Sequence, residues 1–248
     1  YHCWVCESKG SNIGYVARKF SNQQDSALKL SNVYKKSNKE EALEDLNDEN
    51  VRLPDDFTLL CELRNNPAWK KHREYLSTRG FSHNDLCRFR IGVSSEYEFK
   101  DRVIFPSFDR EHNLNYYIAR SISVNEYRRY KNCKAERKEI IFNEFDIDFK
   151  KRVILTEGVF DLLNCPTNST CMLGSWIDEK YLLFKRIIEN KTPIILCLDP
   201  DARKKSLKIA RKLSEYCIDV KITENYDKDF GDMTLQEVEK SLENAKQY

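Results

Sequence analysis

The chain has 248 residues, of which 40% are apolar and 33% are charged, and its 42 basic residues against 40 acidic ones give a formal net charge of +2. This length fits one large domain or two small ones, with enough apolar residues for a core. No stretch approaches the roughly 20 apolar residues of a membrane span, and no signal peptide opens the chain, so we expect no contact with a membrane. Because the charges nearly balance, any nucleic-acid-binding surface must come from local clustering.

The first predicted element is residues 1–20, which contain one Cys-x-x-Cys pair, Cys3 and Cys6. No start methionine precedes Tyr1, so we expect a segment to be missing ahead of it. A single pair cannot close a four-ligand zinc site, and two free thiols are the alternative. Most of the nine cysteines stand singly in apolar runs, which is typical of reduced thiols in a cytoplasmic protein.

Residues 21–55 are rich in Ser, Asn, Lys, Glu and Asp, and we predict that they form a polar linker. Residues 56–150 are predicted to form a mixed α+β domain. Its first helix should begin at Asn66 and Pro67, an N-cap followed by proline at the first helical position, and should end at Gly80. A second helix should begin at Ser82.

A strand pair at residues 103–108 and 114–122 is predicted to follow these helices. Next comes a basic stretch, residues 127–138, with six basic residues, one acid and two tyrosines. Basic groups bind phosphates and aromatic rings stack on bases, so the stretch suits a single-strand groove. A solvated hairpin face is the alternative.

The last hundred residues alternate between apolar strands and helical patterns, which predicts an α/β fold with a parallel sheet covered by helices on both faces. The strands are predicted at residues 153–156, 170–173, 193–198 and 219–223. The helices are predicted at residues 160–164, 178–189 and 202–216, with a last one from Thr234.

Acidic residues follow three of these strands. Glu157 follows the first strand, Asp199 and Asp201 follow the third, and Asp229 and Asp232 follow the fourth. Parallel strands deliver their carboxyl ends to one edge, so we expect these acids to meet there. An all-oxygen ligand set suits Mg²⁺ or Mn²⁺ better than zinc. Helix capping is the alternative for each single acid.

Four segments of this half resemble the motifs of TOPRIM domains, which occur in primases, topoisomerases and nucleases. They are the glutamate motif at 155–161, the small-residue turn at 173–175, the Asp-x-Asp motif at 199–201 and the Lys-Asp-containing segment at 228–232. One departure is that Ala202 and Arg203 stand where the family usually has a glycine.

The upstream half resembles DnaG-type DNA primases, and most closely the phage primases of the T-even kind. The similar segments are residues 75–80 with 90–92, the strand pair from Arg102 to Arg120, and residues 1–13, which look like the second half of the primase zinc ribbon. The resemblance implies a TOPRIM sheet at 151–248, preceded by the primase subdomain and the ribbon remnant.

The resemblance also implies an activity, the synthesis of short RNA primers on single-stranded DNA by metal-dependent nucleotidyl transfer. Its catalytic residues would be Glu157, Asp199 and Asp201. The metal ligands would be these three with Asp161, Asp229 and Asp232. The residues that contact nucleotide and template would be Arg102, Arg120, Arg128, Arg129 and Lys131.

The implied cofactor is Mg²⁺ or Mn²⁺, with Zn²⁺ only if the missing ribbon half is present. The implied partners are single-stranded DNA, ribonucleoside triphosphates and the RNA primer. No Gly-x-x-x-x-Gly-Lys loop is present, so the replicative helicase would be a separate chain, in the host cytoplasm if a phage encodes this protein. Two alternatives stay open, namely a TOPRIM nuclease or topoisomerase fragment and a non-catalytic module that binds single-stranded DNA.

Overall fold

The structure is a computed structural model that describes residues 51–124, 126–162, 165–224 and 228–248. The predicted zinc half-site at Cys3 and Cys6 and most of the predicted linker lie outside these residues. Val51–Tyr248 form one compact unit. Val51 and Leu53 pack against a buried cluster around Phe99, so this unit includes residues that the sequence assigns to the linker. None of the described helices is both long and apolar enough to cross a membrane.

Two helices open the compact unit where the sequence predicts them. The short 3-10 helix Pro67–Trp69 leads into α1 (Lys70–Thr78), and the side chain of Asn66 accepts a hydrogen bond from the backbone of Ala68. Helix α2 (His83–Arg88) begins with a reciprocal capping box between Ser82 and Asp85. Both predicted helix starts are therefore confirmed, because the cap residues make the bonds that their positions require.

The first sheet is antiparallel and has five strands in the order β1-β2-β3-β4-β5. They are β1 (Thr58–Leu59), β2 (Gly92–Val93), β3 (Arg102–Phe108), β4 (Leu114–Ser121) and β5 (Tyr130–Asn132). Only β3 and β4 are predicted from the sequence, since the others are too short to show alternation. A Cβ at Gly92 would lie 2.3 Å from the ring of Phe57 and 2.7 Å from the carbonyl of Thr58, so glycine lets β1 reach β2.

The two faces of this sheet are buried in different clusters. Phe105 and Ile118 face one cluster, which includes Phe160 of the C-terminal half, whereas Ile104 and Ala119 face another. Side chains alternate along a strand. The residue after Ala119, Arg120, therefore lies on the face toward the C-terminal half.

The second sheet has the order β10-β9-β8-β6-β7. Its strands are β6 (Val153–Thr156), β7 (Ser169–Cys171), β8 (Ile194–Cys197), β9 (Val220–Ile222) and β10 (Lys246–Gln247). Strands β6 to β9 are parallel, as predicted, and β10 adds an antiparallel edge to β9. The edge strand is not predicted, because its two residues are polar and exposed.

Helices cover both faces of the second sheet. Ile194 and Leu196 of β8 pack with helices α3 (Leu182–Asn190) and α4 (Arg203–Glu215), and Ile195 and Cys197 pack with helix α5 (Leu235–Glu243). The chain leaves β6 toward β7 on one side and reaches β8 on the other. The strand order therefore reverses between β6 and β8, which is where doubly wound sheets bind their ligands.

Candidate active site

Carboxylates gather at the reversal point of the second sheet. Glu157 directly follows β6, and Asp199 follows the end of β8. Burial raises the pKa of Glu157, and the nearby carboxylates of Asp199, Asp201 and Asp229 raise it further, against the opposing charge of Lys205. The structure thus brings together acids from three strand ends, as the sequence predicts. We call these residues, with Asp161 and Asp232, the acid cluster.

Asp161 is the carboxyl of the acid cluster whose pKa is raised most strongly. It lies in the 3-10 helix Val159–Leu162, and its Oδ2 accepts a hydrogen bond of 2.7 Å from the backbone N–H of Gly158. Burial raises its pKa to about 7, and the charges of Asp199 and Glu157 add to the effect. A Cβ at Gly231 would approach Oδ1 of Asp161 to 3.0 Å, so glycine allows the segment after β9 to pack against this carboxyl.

Asp199 and Asp229 occupy N-cap positions of 3-10 helices, but neither side chain makes a capping hydrogen bond. Burial and the carboxylate of Asp229 raise the pKa of Asp199, and the nearby backbone N–H of Phe230, in the segment after β9, opposes this rise. The Oδ1 atom of Asp199 is buried and has no hydrogen-bond partner. The capping alternative therefore does not account for these two acids.

The acid cluster suits a hard divalent cation that arrives with substrate. Within the described residues, no group of three His, Cys, Asp or Glu side chains is placed to hold a metal ion. Mg²⁺ usually keeps several waters and takes only one or two carboxylates together with substrate phosphates. The unpartnered Oδ1 of Asp199 and the crowded carboxylates around Glu157 fit that kind of site.

Arginine and tyrosine side chains from the first sheet and from helix α1 meet near Phe160. Arg120 donates a hydrogen bond of 3.3 Å from its Nε to the hydroxyl of Tyr75. Its guanidinium lies 4.3 Å from the ring centroid of Tyr130 and 5.6 Å from that of Phe160. We call Tyr75, Arg79, Arg120 and Tyr130 the arginine–tyrosine cluster.

Arg79 belongs to this cluster although the sequence analysis does not include it among the site residues. Its guanidinium lies 5.9 Å from the ring centroids of both Tyr75 and Phe160, and 4.0 Å from Oδ1 of Asp232. One sequence feature could have pointed to Arg79. It stands just before Gly80, at the end of α1, inside a segment that resembles primases. A basic residue at a helix end is common for electrostatic reasons alone, so the pattern did not single it out.

The remaining predicted basic residues divide into two groups. Arg128 and Arg129 are exposed in the connection between β4 and β5. Arg102 is 9% exposed and donates a 3.0 Å hydrogen bond to the carbonyl of Arg128, so it holds this connection in place. Lys131 lies on the opposite face of the strand from Tyr130, where its Nζ is 2.5 Å from a carboxylate oxygen of Glu98. The structure thus brings Arg120 to the ring of Phe160, the residue before Asp161, whereas Lys131 is paired with Glu98.

No protein-family model and no curated protein matches this chain. Among solved structures, the chain is similar to the zinc-binding and RNA polymerase domains of the Aquifex aeolicus primase, with 16% identity, a TM-score of 0.63, and coverage of 100% of this chain and 73% of that one. It is also similar to the E. coli primase catalytic core, with 15% identity, a TM-score of 0.59, and coverage of 75% and 77%.

A third similar structure is a DnaG primase catalytic domain bound to single-stranded DNA, with 16% identity, a TM-score of 0.61, and coverage of 75% of each chain. At these identities the likeness concerns the fold. The chain therefore has an α/β fold similar to that of DnaG primase catalytic cores.

Proposed function

We propose that this chain is the polymerase part of a DnaG-type DNA primase, which synthesises short RNA primers on single-stranded DNA during replication. The observation that carries the proposal is the ion pair between Arg79 and Asp232, which joins the arginine–tyrosine cluster to the acid cluster. Arg79 and Arg120 also contact the ring of Phe160, the residue before Asp161. Carboxylates alone repel a nucleic acid, and basic residues alone only bind it. The two together, at the reversal point of the sheet, suit metal-dependent transfer of a nucleotide.

In this proposal Glu157, Asp199 and Asp201 are the catalytic acids. The metal ligands come from these three and from Asp161, Asp229 and Asp232, one or two at a time, together with substrate phosphates and water. A bound Mg²⁺ or Mn²⁺ would activate the attacking 3′-hydroxyl and neutralise charge on the triphosphate. The backbone N–H of Phe230 favours the charged form of the Asp199 carboxyl.

The basic side chains would bind substrate. Arg79 and Arg120 are near the acids and would contact the phosphates of the incoming ribonucleotide. Arg128 and Arg129 would follow the template backbone, with the exposed ring of Tyr127 (96% exposed) available to stack on a base. Arg102 would act indirectly, through the connection that carries these arginines.

One similar structure contains a primase domain with single-stranded DNA, and this supports single-stranded DNA as the template here. The RNA primer, the ribonucleotides, a helicase on a separate chain, zinc at Cys3 and Cys6, and the affiliation with T-even phage primases belong to the same proposal. A TOPRIM nuclease or topoisomerase fragment and a non-catalytic binding module stay as the alternative functions.

The deciding experiment incubates the chain with single-stranded DNA, labelled ribonucleotides and Mg²⁺, and separates the products on a denaturing gel. Short RNA that disappears with Asp201→Asn supports the proposal. The exposed Glu239→Gln is the matched control, because it removes one negative charge away from the acid cluster. Cleavage of the DNA would favour the nuclease, and retention of DNA with neither product would favour the binding module.

A further inference from the structure

Two thiols meet where the turn after β1 packs against helix α2. Cys61 lies in this turn and is partly buried, whereas Cys87 lies in α2 and is exposed. Backbone hydrogen bonds hold the two segments together. The N–H of Leu60 donates to the carbonyl of Ile91 over 2.9 Å, and the N–H of Ile91 donates to the carbonyl of Leu86 over 3.0 Å. Leu60 and Leu86 share one buried cluster, and Cys61 packs against it.

The side chains of Cys61 and Cys87 act on each other directly. Burial raises the pKa of the Cys61 thiol, and a hydrogen bond with the thiol of Cys87 and the charge of that group raise it further. A hydrogen bond between thiols brings the two sulfur atoms into contact. A small movement of the side chains therefore suffices to reach the S–S bond length of about 2.05 Å. Both residues are free thiols in the structure.

The two thiols differ in their access to solvent, and this difference gives each a separate role. Cys87 is exposed, so a small oxidant in solution can reach its sulfur. Cys61 is partly buried and its raised pKa leaves less of the reactive thiolate. Thiol exchange depends on both thiolate and access. Cys61 is therefore suited to attack a neighbouring sulfur and not an oxidant in solution.

We propose that Cys61 and Cys87 are a redox-reactive pair, which forms a reversible disulfide with a low-molecular-weight disulfide as the oxidant. The Cys87 thiolate attacks one sulfur of the oxidant, and the other half of the oxidant leaves as a thiolate. The Cys61 thiolate then attacks the Cys87 sulfur of this mixed disulfide and releases the second half. The two released thiolates take up the two protons that the cysteines lost, so the pair is oxidised by two electrons and the oxidant is reduced to two thiols.

The disulfide would close a loop of residues 62–86, which contains helix α1 together with Tyr75 and Arg79. A crosslink of this kind stabilises a fold mainly by limiting the freedom of the unfolded chain. Oxidation should therefore raise the melting temperature by at least about 3 °C. In a reducing compartment such a bond is transient. The inference does not depend on the proposed polymerase reaction, because it concerns thiol chemistry that needs neither metal nor nucleotide.

The test treats the full, reduced chain with mixtures of oxidised and reduced glutathione, blocks the remaining thiols with N-ethylmaleimide and digests the chain with trypsin. The control is Cys217, an exposed cysteine just after α4. Cys61, Cys87 and Cys217 fall in separate tryptic peptides, residues 53–64, 80–88 and 213–221. Mass spectrometry should find the first two peptides joined and the third carrying glutathione. Raising both forms of glutathione at a fixed ratio by about tenfold should lower the ratio of joined to reduced pair about tenfold, because each disulfide releases two thiols, and should leave Cys217 unchanged.

Serine variants separate the roles of the two thiols. Cys61→Ser should leave glutathione on Cys87, because no neighbouring thiol displaces it. In Cys87→Ser, Cys61 should react with oxidised glutathione at least about tenfold more slowly than Cys87 does in the parent chain, and the rise in melting temperature should disappear. Cys217→Ser should still form the joined peptides, and circular dichroism checks that each variant is folded. The proposal is overturned if the parent chain gives no joined peptides while Cys217 carries glutathione, if Cys217→Ser prevents the joining, or if oxidation leaves the parent's melting temperature unchanged.

Discussion

The Nη1 atom of Arg79 lies 4.0 Å from Oδ1 of Asp232, and this ion pair joins the end of α1 to the segment that follows β9. The two residues are far apart in the chain and belong to opposite halves of the compact unit. Both side chains are partly exposed, with 42% and 66% of their surfaces accessible, so the pair contributes little to stability. Its importance is positional, because it places a guanidinium beside carboxylates that we expect to hold a metal ion.

The first prediction concerns this arginine. Arg79→Ala should lower primer synthesis at least about tenfold, because a charged hydrogen bond to substrate phosphate is worth roughly 1.5–3 kcal/mol. The loss should appear mainly in the KM for ribonucleotides, while the melting temperature should change little. The KM is measured by steady-state kinetics in which the concentration of the ribonucleotide mixture is varied.

Arg64→Ala is the matched control, since Arg64 is exposed and lies in the turn ahead of α1. It removes the same charge without touching either cluster. Equal losses in the two variants would mean that general charge, and not the position of Arg79, supports the reaction.

The second prediction concerns the acids after β8. Asp199→Asn should abolish primer synthesis and leave the fold intact, because the amide keeps the shape of the side chain but weakens a metal ligand. Removing this charge also relieves the repulsion that raises the pKa of Glu157, so the metal-free variant should be at least as stable as the parent chain. Activity assays and thermal melts in EDTA measure both effects. Near-normal synthesis by this variant would remove Asp199 from the mechanism.

The fold of the C-terminal half could be predicted because its strands are short, apolar and fully buried. Val153–Thr156 and Ile194–Cys197 are buried at every residue, and such runs between helical patterns indicate a parallel sheet. The strands that were missed, such as Thr58–Leu59 and Lys246–Gln247, have two residues each. They pair because tertiary structure brings them to a sheet edge, which no local pattern encodes.

The acid cluster could be predicted for a related reason, since the ends of parallel strands must meet at one edge. The basic side of the site could not be predicted in the same way. Arg120 and Lys131 look equivalent in the sequence, but strand alternation places Arg120 with Tyr130 and Phe160 and places Lys131 beside Glu98. Arg79 reaches the site only because α1 packs near the segment after β9, which is a long-range contact.

The third prediction uses this division of the basic residues. The double variant Arg128→Glu and Arg129→Glu should weaken binding of single-stranded DNA and flatten its dependence on salt, because each lost phosphate contact reduces the slope by about 0.7 for single strands. Lys131→Gln should change the slope little, since this lysine is engaged with Glu98. Fluorescence titrations at several salt concentrations provide the slopes. If Lys131→Gln flattens the slope as much as the double variant does, the template passes over the opposite face of the first sheet.

The fourth prediction concerns the stability of the metal-free chain against pH. The pKa of Asp161 is raised to about 7 from an ordinary value of 3.8, first by burial and then by its acidic neighbours. The folded chain therefore binds this proton more tightly than the unfolded chain does. The resulting stabilisation is fully present below the pKa that Asp161 has in the unfolded chain, and it is lost as the pH rises toward 7. For one group, the free energy of unfolding falls by at most about 1.4 kcal/mol per pH unit.

Urea unfolding in EDTA between about pH 4.5 and pH 7.5 should therefore show falling stability as the pH rises. Asp161→Asn should flatten the curve, because the amide oxygen can still accept the hydrogen bond from Gly158 but no longer titrates. Asp148→Asn is the control, since the pKa of this exposed carboxyl is lowered by hydrogen bonds from Lys150 and Lys151 and its titration ends below the tested range. Added Mg²⁺ should also flatten the parent curve if the acid cluster binds it, because a cation offsets the repulsion that drives the slope. A slope that persists unchanged in Asp161→Asn would show that the pH dependence arises from groups other than Asp161, such as Glu157, whose pKa is also raised by burial.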